Sequence, residues 1–394
     1  MDRLIHNKGL VAESNKVSSF PTYNKNSHKD AFNVLRKEVY QKLGDYKQAA
    51  HKKILLKGIL LLSIFVETLI FYWVFATNST LFLILAVALG ILCLPLVLNI
   101  GHESVHGNFT DNKKINKLAK WAFFLLGTSD YFWGLRHNYA HHAYANIGDW
   151  DLDIEQSKII RLSPQQNWEK RHQFQHWYMP VVFMFYTIVW FFYRDFKDIT
   201  LHKFGKKTIP NHPKKEIIKL FAAKIVHLIF LVGIPYYLSK DMGLVMQAFF
   251  LFHFSASVLT TFALISTHVG ETQEVVAIKD HKLPYSWFEH QFRTTADFST
   301  NSHWMTHFFG GFNHHVAHHL FPNIPHIYYP SITPIIKRHA QENGIQYHDY
   351  TNLAQAALSH FKRLKKLSMK ERDGLGMSSR TAVQGSSSQG AEGC

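Results

Sequence analysis

Histidine is the residue type through which this sequence could do chemistry. Three histidines occur close together in the segment GGFNHHVAHHLFPNIPH, residues 310–326: His315, His318 and His319. Side chains three and four positions apart on a helix are neighbours, and neutral imidazole binds zinc, copper, iron and nickel. One such cluster fits a solvated turn as well as it fits a metal site.

Two further clusters upstream favour the metal site. They occur in the segments HESVH and HNYAHH and comprise His102, His106, His137, His141 and His142. His268, in STHVGE at the end of a long apolar segment, is a candidate ninth ligand. Since one zinc ion takes at most four protein ligands in such sites, eight or nine imidazoles indicate two metal ions.

The remaining composition limits the other ligands. Only two cysteines occur, Cys93 in an apolar run and Cys394 as the last residue, which excludes a disulfide framework and a cysteine-based metal site. Carboxylates near the clusters could orient the imidazole rings by hydrogen bonding. The candidates are Glu103, Asp149, Asp151 and Asp153. For the last three, a solvated acidic loop is the alternative.

Four other histidines are expected not to bind metal. His303 and His307, in NSHWMTH, have helical spacing, but eight clustered histidines already provide four ligands for each of two ions. His227 and His253 lie within apolar segments and have no histidine partner three or four positions away. We expect these two to form hydrogen bonds between helices.

The elements that must position the clusters are apolar segments. Four are long enough to cross a membrane, with short turns TNST and SKDMG inside the two pairs: 54–76, 81–100, 220–238 and 244–267. The run 178–193 would span only about 24 Å at 1.5 Å per residue, less than the ~30 Å hydrocarbon core. It is expected to lie in the membrane plane, and 118–133 is expected to be re-entrant or interfacial.

The distribution of charge agrees with two helical hairpins. The clusters can share one centre only if an even number of crossings separates them. The net charge is +15, with eleven Lys or Arg in residues 1–53 and eight in the loop 194–219, whereas TNST has none and SKDMG has one. The positive-inside rule therefore places both termini and all clusters on the cytoplasmic side. The charge indicates membrane orientation rather than nucleic-acid binding.

These observations predict an all-α integral membrane protein, with four transmembrane helices in two hairpins, in-plane helices and a cytoplasmic helical cap that holds the metal site. Three regions are expected. Residues 1–53 form a basic cytoplasmic segment with no fold of its own, residues 54–365 form the membrane domain, and residues 366–394 form a disordered tail rich in glycine and serine.

The clusters and their surroundings resemble the three histidine boxes of the integral-membrane fatty acid desaturases, closest to the bacterial linoleoyl-CoA or front-end branch. The segments are NIGHESVHGNF, LRHNYAHHAYANIGDWDLDIE and GGFNHHVAHHLFPNIPHIYYP. The resemblance covers roughly Ala31 to Lys365 and includes the order of boxes and apolar segments. One departure is His315, where the front-end branch usually has glutamine.

The resemblance implies a non-haem di-iron enzyme that uses O₂ and two electrons to introduce a cis double bond into a long-chain acyl-CoA or acyl-lipid. The implied iron ligands are His102, His106, His137, His141, His142, His268, His315, His318 and His319. The HPGG motif of a fused cytochrome-b domain does not occur. Electrons are therefore expected from a separate ferredoxin or cytochrome-b-type donor, and a basic face with Lys206, Lys207, Lys214 and Lys215 would suit an acidic one. The location implied is a multi-pass position in the cell membrane, the inner membrane if the source is bacterial.

Two other functions fit the histidine boxes. A hydroxylase, ketolase or alkane monooxygenase could use the same kind of di-iron site, although GGFNHHVAHHLFP and NIGDWDLDI are more similar to desaturases. A metal transporter with histidine-rich loops is the non-enzymatic alternative. It should place polar groups near the bilayer midplane, whereas the clusters here flank the apolar segments.

Overall fold

Helices account for nearly all regular structure in the computed structural model, which describes residues 20–24, 28, 30–45, 47–153 and 158–370. The α-helices are α1 (Ala31–Leu43), α2 (Lys47–Val74), α3 (Ser79–Leu96), α4 (Glu103–Val105), α5 (Lys113–Ala119), α6 (Ala122–Leu125), α7 (Asp130–Gly134), α8 (His142–Tyr144), α9 (Gln175–Phe183), α10 (Tyr186–Val189), α11 (Asp195–Thr200), α12 (Lys214–Leu228), α13 (Ile234–Ser239), α14 (Met242–His268), α15 (Trp287–Thr294), α16 (His303–Phe308), α17 (His315–Leu320), α18 (Tyr329–Glu342) and α19 (Leu353–Ser368).

Shorter elements connect these helices. The π-helical turns are Val97–His102, Leu135–His141, Trp190–Arg194 and Ile229–Gly233, and the 3₁₀ turns are Lys170–Phe174 and His326–Tyr328. The strands form two small pairs, with β1 (Lys203–Phe204) antiparallel to β2 (Lys207–Thr208), and β3 (Asp297–Phe298) parallel to β4 (Asp349–Tyr350). Helix is thus the main regular structure of the described residues, and β-structure is limited to these pairs and isolated bridges.

Four helical segments in the described part of the chain are long and apolar enough to cross a membrane. In order, spans 1 to 4 are Ala49–Val74, Ser79–Val105, Lys214–Ser239 and Met242–His268. Each has 26 or 27 residues, roughly 39 Å of helix at 1.5 Å per residue, which exceeds the ~30 Å hydrocarbon core. Large apolar side chains such as Leu60 and Ile225 are more than half exposed on their outer faces. The predicted all-α membrane fold with four spans is confirmed.

The spans form two hairpins whose second helices begin at polar capping residues. The Asn78 side chain accepts a hydrogen bond from the backbone N–H of Leu81 at 3.2 Å, at the start of span 2. Asp241 accepts one from Leu244 at 3.0 Å, at the start of span 4. Each cap satisfies a backbone donor of the first helical turn, so the chain reverses within a few residues.

Spans 2 and 4 cross closely at Gly90. A Cβ atom at this position would lie 2.0 Å from Ser255 Oγ and 2.3 Å from the Phe252 carbonyl oxygen, so only glycine fits. Small residues allow such close approach of helices in membranes. Since span 2 contains His102 and span 4 ends at His268, this packing helps to bring the two histidines together.

The segment 178–193 does not form a continuous helix. It is divided among α9, α10 and the following π-helical turn, and Pro180 lies within α9. The segment 118–133 is likewise divided, among α5, α6 and α7. Neither segment provides a helix of transmembrane length, which agrees with the prediction that they do not cross the membrane.

A helical cap covers the ends of the spans that carry histidines. Its apolar core contains residues of α15, α17 and α18: Phe288, Phe292, Val316, Leu320, Ile332 and Ile336. Leu35 and Val39 of α1 are fully buried in the same core, and Glu38 lies 2.8 Å from His339 of α18. Residues 1–53 are expected to have no fold of their own; within them, α1 is helical and packs its apolar face against the cap.

The C-terminal boundary also differs from the prediction. Helix α19 continues to Ser368, so the tail predicted to begin at residue 366 starts inside a helix. The rest of that predicted tail, from residue 371, lies outside the described residues, as do residues 1–19 of the predicted basic segment.

The two hairpins predict which loops share a side of the membrane. In a chain with Cys394→Ser, we expect Thr80→Cys and Met242→Cys to react with a membrane-impermeant maleimide applied outside intact cells. Lys206→Cys should react only after permeabilisation, because an even number of crossings separates it from the N-terminus. The parent without added cysteine is the control, since Cys93 is buried. Labelling of Lys206→Cys in intact cells would contradict the two-hairpin topology.

Candidate metal centre

The nine histidines singled out in the sequence meet in one buried region. Their nitrogen atoms form two groups, each within 4.8 Å: His102, His106, His137 and His318 in the first, and His141, His268, His315 and His319 in the second. The ninth, His142, lies between the groups. Its Nε2 is 3.0 Å from that of His137, and its ring centroid is 4.6 Å from those of both His318 and His319.

Several of these histidines lie at the boundaries of helical elements. His102 closes the π-helical turn of span 2, and His106 follows one turn later. His137 and His141 lie in the π-helical turn Leu135–His141, and His268 is the last residue of α14. π-Helical turns inside α-helices are frequent at functional sites. Here two of them carry three of the nine histidines.

The spacing within the first group fits a shared metal ion. The Nε2 atom of His137 lies 3.1 Å from that of His102 and 3.2 Å from that of His106. Two nitrogen ligands that are each about 2.1 Å from one ion are separated by roughly 3.0–3.4 Å at angles of 90–109°. His318 Nε2 is buried and has no hydrogen-bond partner among the described residues, so it is available as a ligand.

The nitrogens of the second group also converge, with a closer contact than in the first. His268 Nε2 lies 2.6 Å from His315 Nε2, and the His141 ring is 4.4 Å from the His268 ring. His319 Nε2 is buried without a hydrogen-bond partner in the described part of the chain. Both groups therefore fit a metal ion, because each converges four imidazole nitrogens and includes one buried Nε2, of His318 or of His319, without a hydrogen-bond partner among the described residues.

Hydrogen bonds to the opposite ring nitrogens fix several of these rings. His268 Nδ1 lies 3.1 Å from the Thr294 carbonyl oxygen, and His319 Nδ1 lies 3.1 Å from Gln291 Oε1. His318 Nδ1 is 3.3 Å from the Tyr329 hydroxyl. Such contacts set the tautomer that leaves Nε2 free to bind a metal. Sequence reasoning missed Gln291 and Tyr329, since neither lies within a histidine cluster.

Of the four acidic candidates, Asp151 makes the clearest contact with a clustered histidine. Its carboxylate lies 3.1 Å from His141 Nδ1 and accepts a hydrogen bond from the Asn146 backbone N–H. Asp153 lies 3.8 Å from the same ring. Asp149 is exposed, with a φ of 64°. Only Asp149 thus fits the alternative of a solvated acidic residue.

Glu103 contacts a histidine that the sequence reasoning did not single out. Its Oε1 atom lies 2.6 Å from Nδ1 of the fully buried His326, whose Nε2 lies 3.0 Å from Lys57 Nζ of span 1. Glu103 therefore ties the first histidine cluster to span 1 and to the chain after α17. The sequence feature that could have identified His326 is its position seven residues after His319.

Buried ion pairs anchor the loop that presents Asp151. Arg136, next to His137, pairs with Asp198 at 2.7 Å and also donates to the Leu152 carbonyl oxygen. Arg194 donates to the same carbonyl at 2.8 Å and pairs with Asp153 at 3.1 Å. Breaking a buried pair leaves an uncompensated charge, so both arginines hold this loop against the second cluster.

Burial keeps most of the clustered imidazoles neutral, as metal binding requires. It lowers the pKa of His106 to about 4, and a smaller lowering comes from the positive charge of Lys120, opposed by Glu103. Burial first, and the neighbouring histidines second, also lower the pKa of His137, His142, His315, His318 and His319. His141 differs, because burial would lower its pKa but Asp151 raises it.

The histidines expected to lie outside the centre do so. His303 and His307 are exposed on α16 and belong to neither group. His227 Nε2 lies 3.4 Å from His253 Nε2, between spans 3 and 4, which confirms the predicted interhelical contact. His314, next to His315, has both ring nitrogens within 3.1 Å of threonine hydroxyls, so its position in the cluster is structural.

Asp151 provides a test of how the centre is held. Asp151→Asn should lower the affinity for bound metal roughly 10- to 100-fold, the usual effect of removing a carboxylate that orients a ligand histidine. The measurement is metal content by mass spectrometry during titration with a chelator. The matched control is Asp149→Asn, which is exposed at a positive φ that asparagine tolerates. Equal metal retention in the two variants would contradict the assigned role.

Comparison with known proteins agrees with this geometry. The fatty acid desaturase family model matches residues 40–351. The chain is 31% identical over 285 residues to the sn-1 linoleoyl-lipid 6-desaturase of Synechocystis sp., covering 72% of this chain and 78% of that protein. It is 28% identical to the enzyme of that name from Arthrospira platensis (69% and 74% covered), and 26% identical to the acyl-lipid (8-3)-desaturase of Physcomitrium patens (85% and 71% covered). The chain therefore belongs to the fatty acid desaturase family and is a membrane-bound oxidoreductase that desaturates acyl chains.

Proposed function

We propose that this desaturase holds two iron ions and acts on acyl chains carried by membrane lipids. The observation that carries the proposal is the pair of four-histidine groups with His142 between them. Imidazole is a suitable ligand for iron. The proposed ligands are His102, His106, His137, His141, His142, His268, His315, His318 and His319.

When bound, the two irons and O₂ would supply the oxidising power that removes two hydrogens from adjacent acyl carbons. The overall reaction consumes one O₂, two electrons and two protons, and yields the double bond and two waters. The chain itself contributes neutral imidazoles in fixed orientations and a dry surrounding. Trp133 stacks on His137 with ring centroids 4.3 Å apart, and Phe312 lies 5.1 Å from His102. These rings shield the donor nitrogens from water.

The names of the relatives support a lipid-bound substrate. Two are linoleoyl-lipid desaturases and one is an acyl-lipid desaturase, and the centre lies at the ends of spans 2 and 4, within reach of a chain that leaves the bilayer. The sequence left acyl-CoA as the alternative. We further propose that the centre faces the cytoplasm and that, in a bacterial cell, the protein lies in the inner membrane. The reason is that the basic loop 194–219 lies on the same side of the membrane as the centre.

The electron donor is proposed to be a separate acidic protein that docks beside the segment HNYAHH, residues 137–142. Lys206 and Lys207 lie in the β1–β2 hairpin, over the rings of Tyr144 and Tyr139 at 5.7 and 5.8 Å. Gly205, in the same turn, packs so closely on Tyr139 that a Cβ atom would lie 1.8 Å from its carbonyl oxygen. This hairpin thus places positive charge directly above the segment that carries His137 and His141.

Neutralising that charge should weaken donor docking. Lys206→Gln/Lys207→Gln should raise the KM for reduced ferredoxin several-fold and leave kcat nearly unchanged, with the difference shrinking at high salt because such contacts are screened. The control is Lys279→Gln/Lys282→Gln, which removes two exposed charges elsewhere. An unchanged KM in the first variant would place the docking surface elsewhere.

Analysis of the products tests the proposed reaction. Substitutions of the proposed iron ligands test whether that reaction depends on the metal centre. A host that expresses the chain should gain lipids with new cis double bonds, detected by mass spectrometry of derivatised acyl chains. His268→Ala and His315→Ala should lose both product and iron, because each removes a nitrogen from the second group. The control His303→Ala/His307→Ala should keep most of both, since these side chains are exposed. Hydroxylated or keto products, or equal iron loss in the control, would contradict the proposal.

A further inference from the structure

A pocket of about 310 Å³ opens beside the metal centre on the side of His106. Its walls come from the end of span 2 and from the region of α5: Ser104, Val105, His106, Gly107, Lys113, Asn116, Lys117 and Lys120. A proposed iron ligand, His106, therefore lines one side of the pocket, and three lysines line another. A molecule in this pocket would contact both.

Helix α5 has the character of a helix that lies at the membrane surface. Lys113, Lys117 and Lys120 are spaced four and three positions apart, so they project from one face. On the opposite face, Ile115 and Leu118 are 36% and 68% exposed. Apolar side chains exposed on one face and lysines on the other are typical of an interfacial helix. This places the three ammonium groups at the depth of lipid headgroups, where anionic groups attract them.

The positive charge of this wall is not neutralised by a carboxylate of the described residues. Within the described residues, none of the three lysines forms an ion pair with a carboxylate. The nearby Asp111 pairs instead with His51, at 2.8 Å, and lines a neighbouring pocket. The Asn116 side chain is engaged with the backbone of Thr110. The pocket therefore presents three ammonium groups that have no carboxylate partner in the described part of the chain to whatever enters it.

We propose that Lys113, Lys117 and Lys120 bind a phosphate group of the molecule that carries the acyl chain, while the chain passes His106 toward the metal centre. This inference rests on the desaturase function and specifies the class of substrate. Lysine binds phosphate as a compact charge, and three lysines around one pocket match the charge of a phosphate ester. Two carriers supply that chemistry: a glycerophospholipid headgroup and coenzyme A. A neutral glycerolipid does not.

Binding measured without turnover tests the phosphate site. The full-length, metal-loaded protein in neutral detergent is titrated with three probes that share one acyl chain: linoleoyl lysophosphatidylglycerol, linoleoyl-CoA and monolinoleoylglycerol. The variant is Lys113→Gln/Lys117→Gln/Lys120→Gln. The control, Lys114→Gln/Lys279→Gln/Lys282→Gln, removes three exposed positive charges that do not line the pocket. Metal content and melting temperature establish that both variants are folded.

We expect the first variant to bind at least one phosphate probe roughly 10- to 100-fold more weakly at low salt, and to bind monolinoleoylglycerol as the wild type does. Loss for the lysophospholipid alone identifies a phospholipid carrier, loss for linoleoyl-CoA alone identifies coenzyme A, and loss for both shows a site for phosphate in general. Unchanged affinity for both phosphate probes, equal weakening for the neutral probe, or the same weakening in the control would overturn the proposal.

Product formation separates this proposal from the proposed function. If the wild type forms double bonds while the lysine variant keeps its phosphate affinity, the phosphate site is wrong and the desaturase assignment stands. If phosphate binding depends on the lysines but no double bond is formed with any probe, the site stands and the assignment of the reaction is wrong.

Discussion

The constraint on which the rest of the structure depends is the convergence of nine imidazoles in one place, seven of them buried and two half-buried. Each carries two nitrogens, and a buried polar atom without a partner costs about 1–3 kcal/mol. In an all-protein environment such a cluster would be destabilising. Several rings therefore make a hydrogen bond to the protein through Nδ1, while Nε2 points into the cluster. His268, His318 and His319 are examples. In the proposed centre, bound metal satisfies the inward nitrogens, so folding and metal binding are coupled.

That coupling explains why the surrounding polar groups are so numerous and so buried. The carboxylate of Asp151 holds His141, and the loop that carries Asp151 is held by Arg136 and Arg194. A buried ion pair contributes little net stability but is costly to break. Such pairs therefore fix the position of a loop more effectively than they stabilise the fold. Position is what a metal ligand requires, since small displacements change metal–nitrogen distances.

The membrane-spanning helices also determine the position of the centre. The close crossing at Gly90 aligns spans 2 and 4, and His102 and His268 lie at or near the ends of these spans. Helix α5 exposes apolar residues on one face and lysines on the other. An acyl chain could thus reach the centre from the bilayer while its polar carrier stays at the surface. Proximity of this kind accounts for much of enzymatic rate enhancement.

The sequence by itself determined the class of fold and the identity of the clustered histidines. Apolar segments of the length of a membrane can be read directly, because the bilayer imposes that length locally. Histidine spacing within each cluster is also local. Helix α1 shows where local sequence is not sufficient, since its short amphipathic pattern gains stability only by packing Leu35 and Val39 against the cap.

Tertiary structure alone decided which partners the histidines have. The two groups mix residues from distant segments, so His318 joins His102 and His137 while His319 joins His141 and His268. Gln291 and Tyr329 contribute through contacts that carry no sequence signal of their own. The choice of Asp151 over Asp149 depends on which carboxylate the loop turns inward. The physical reason is that local spacing fixes the direction of a side chain along its helix, whereas long-range packing fixes what that side chain meets.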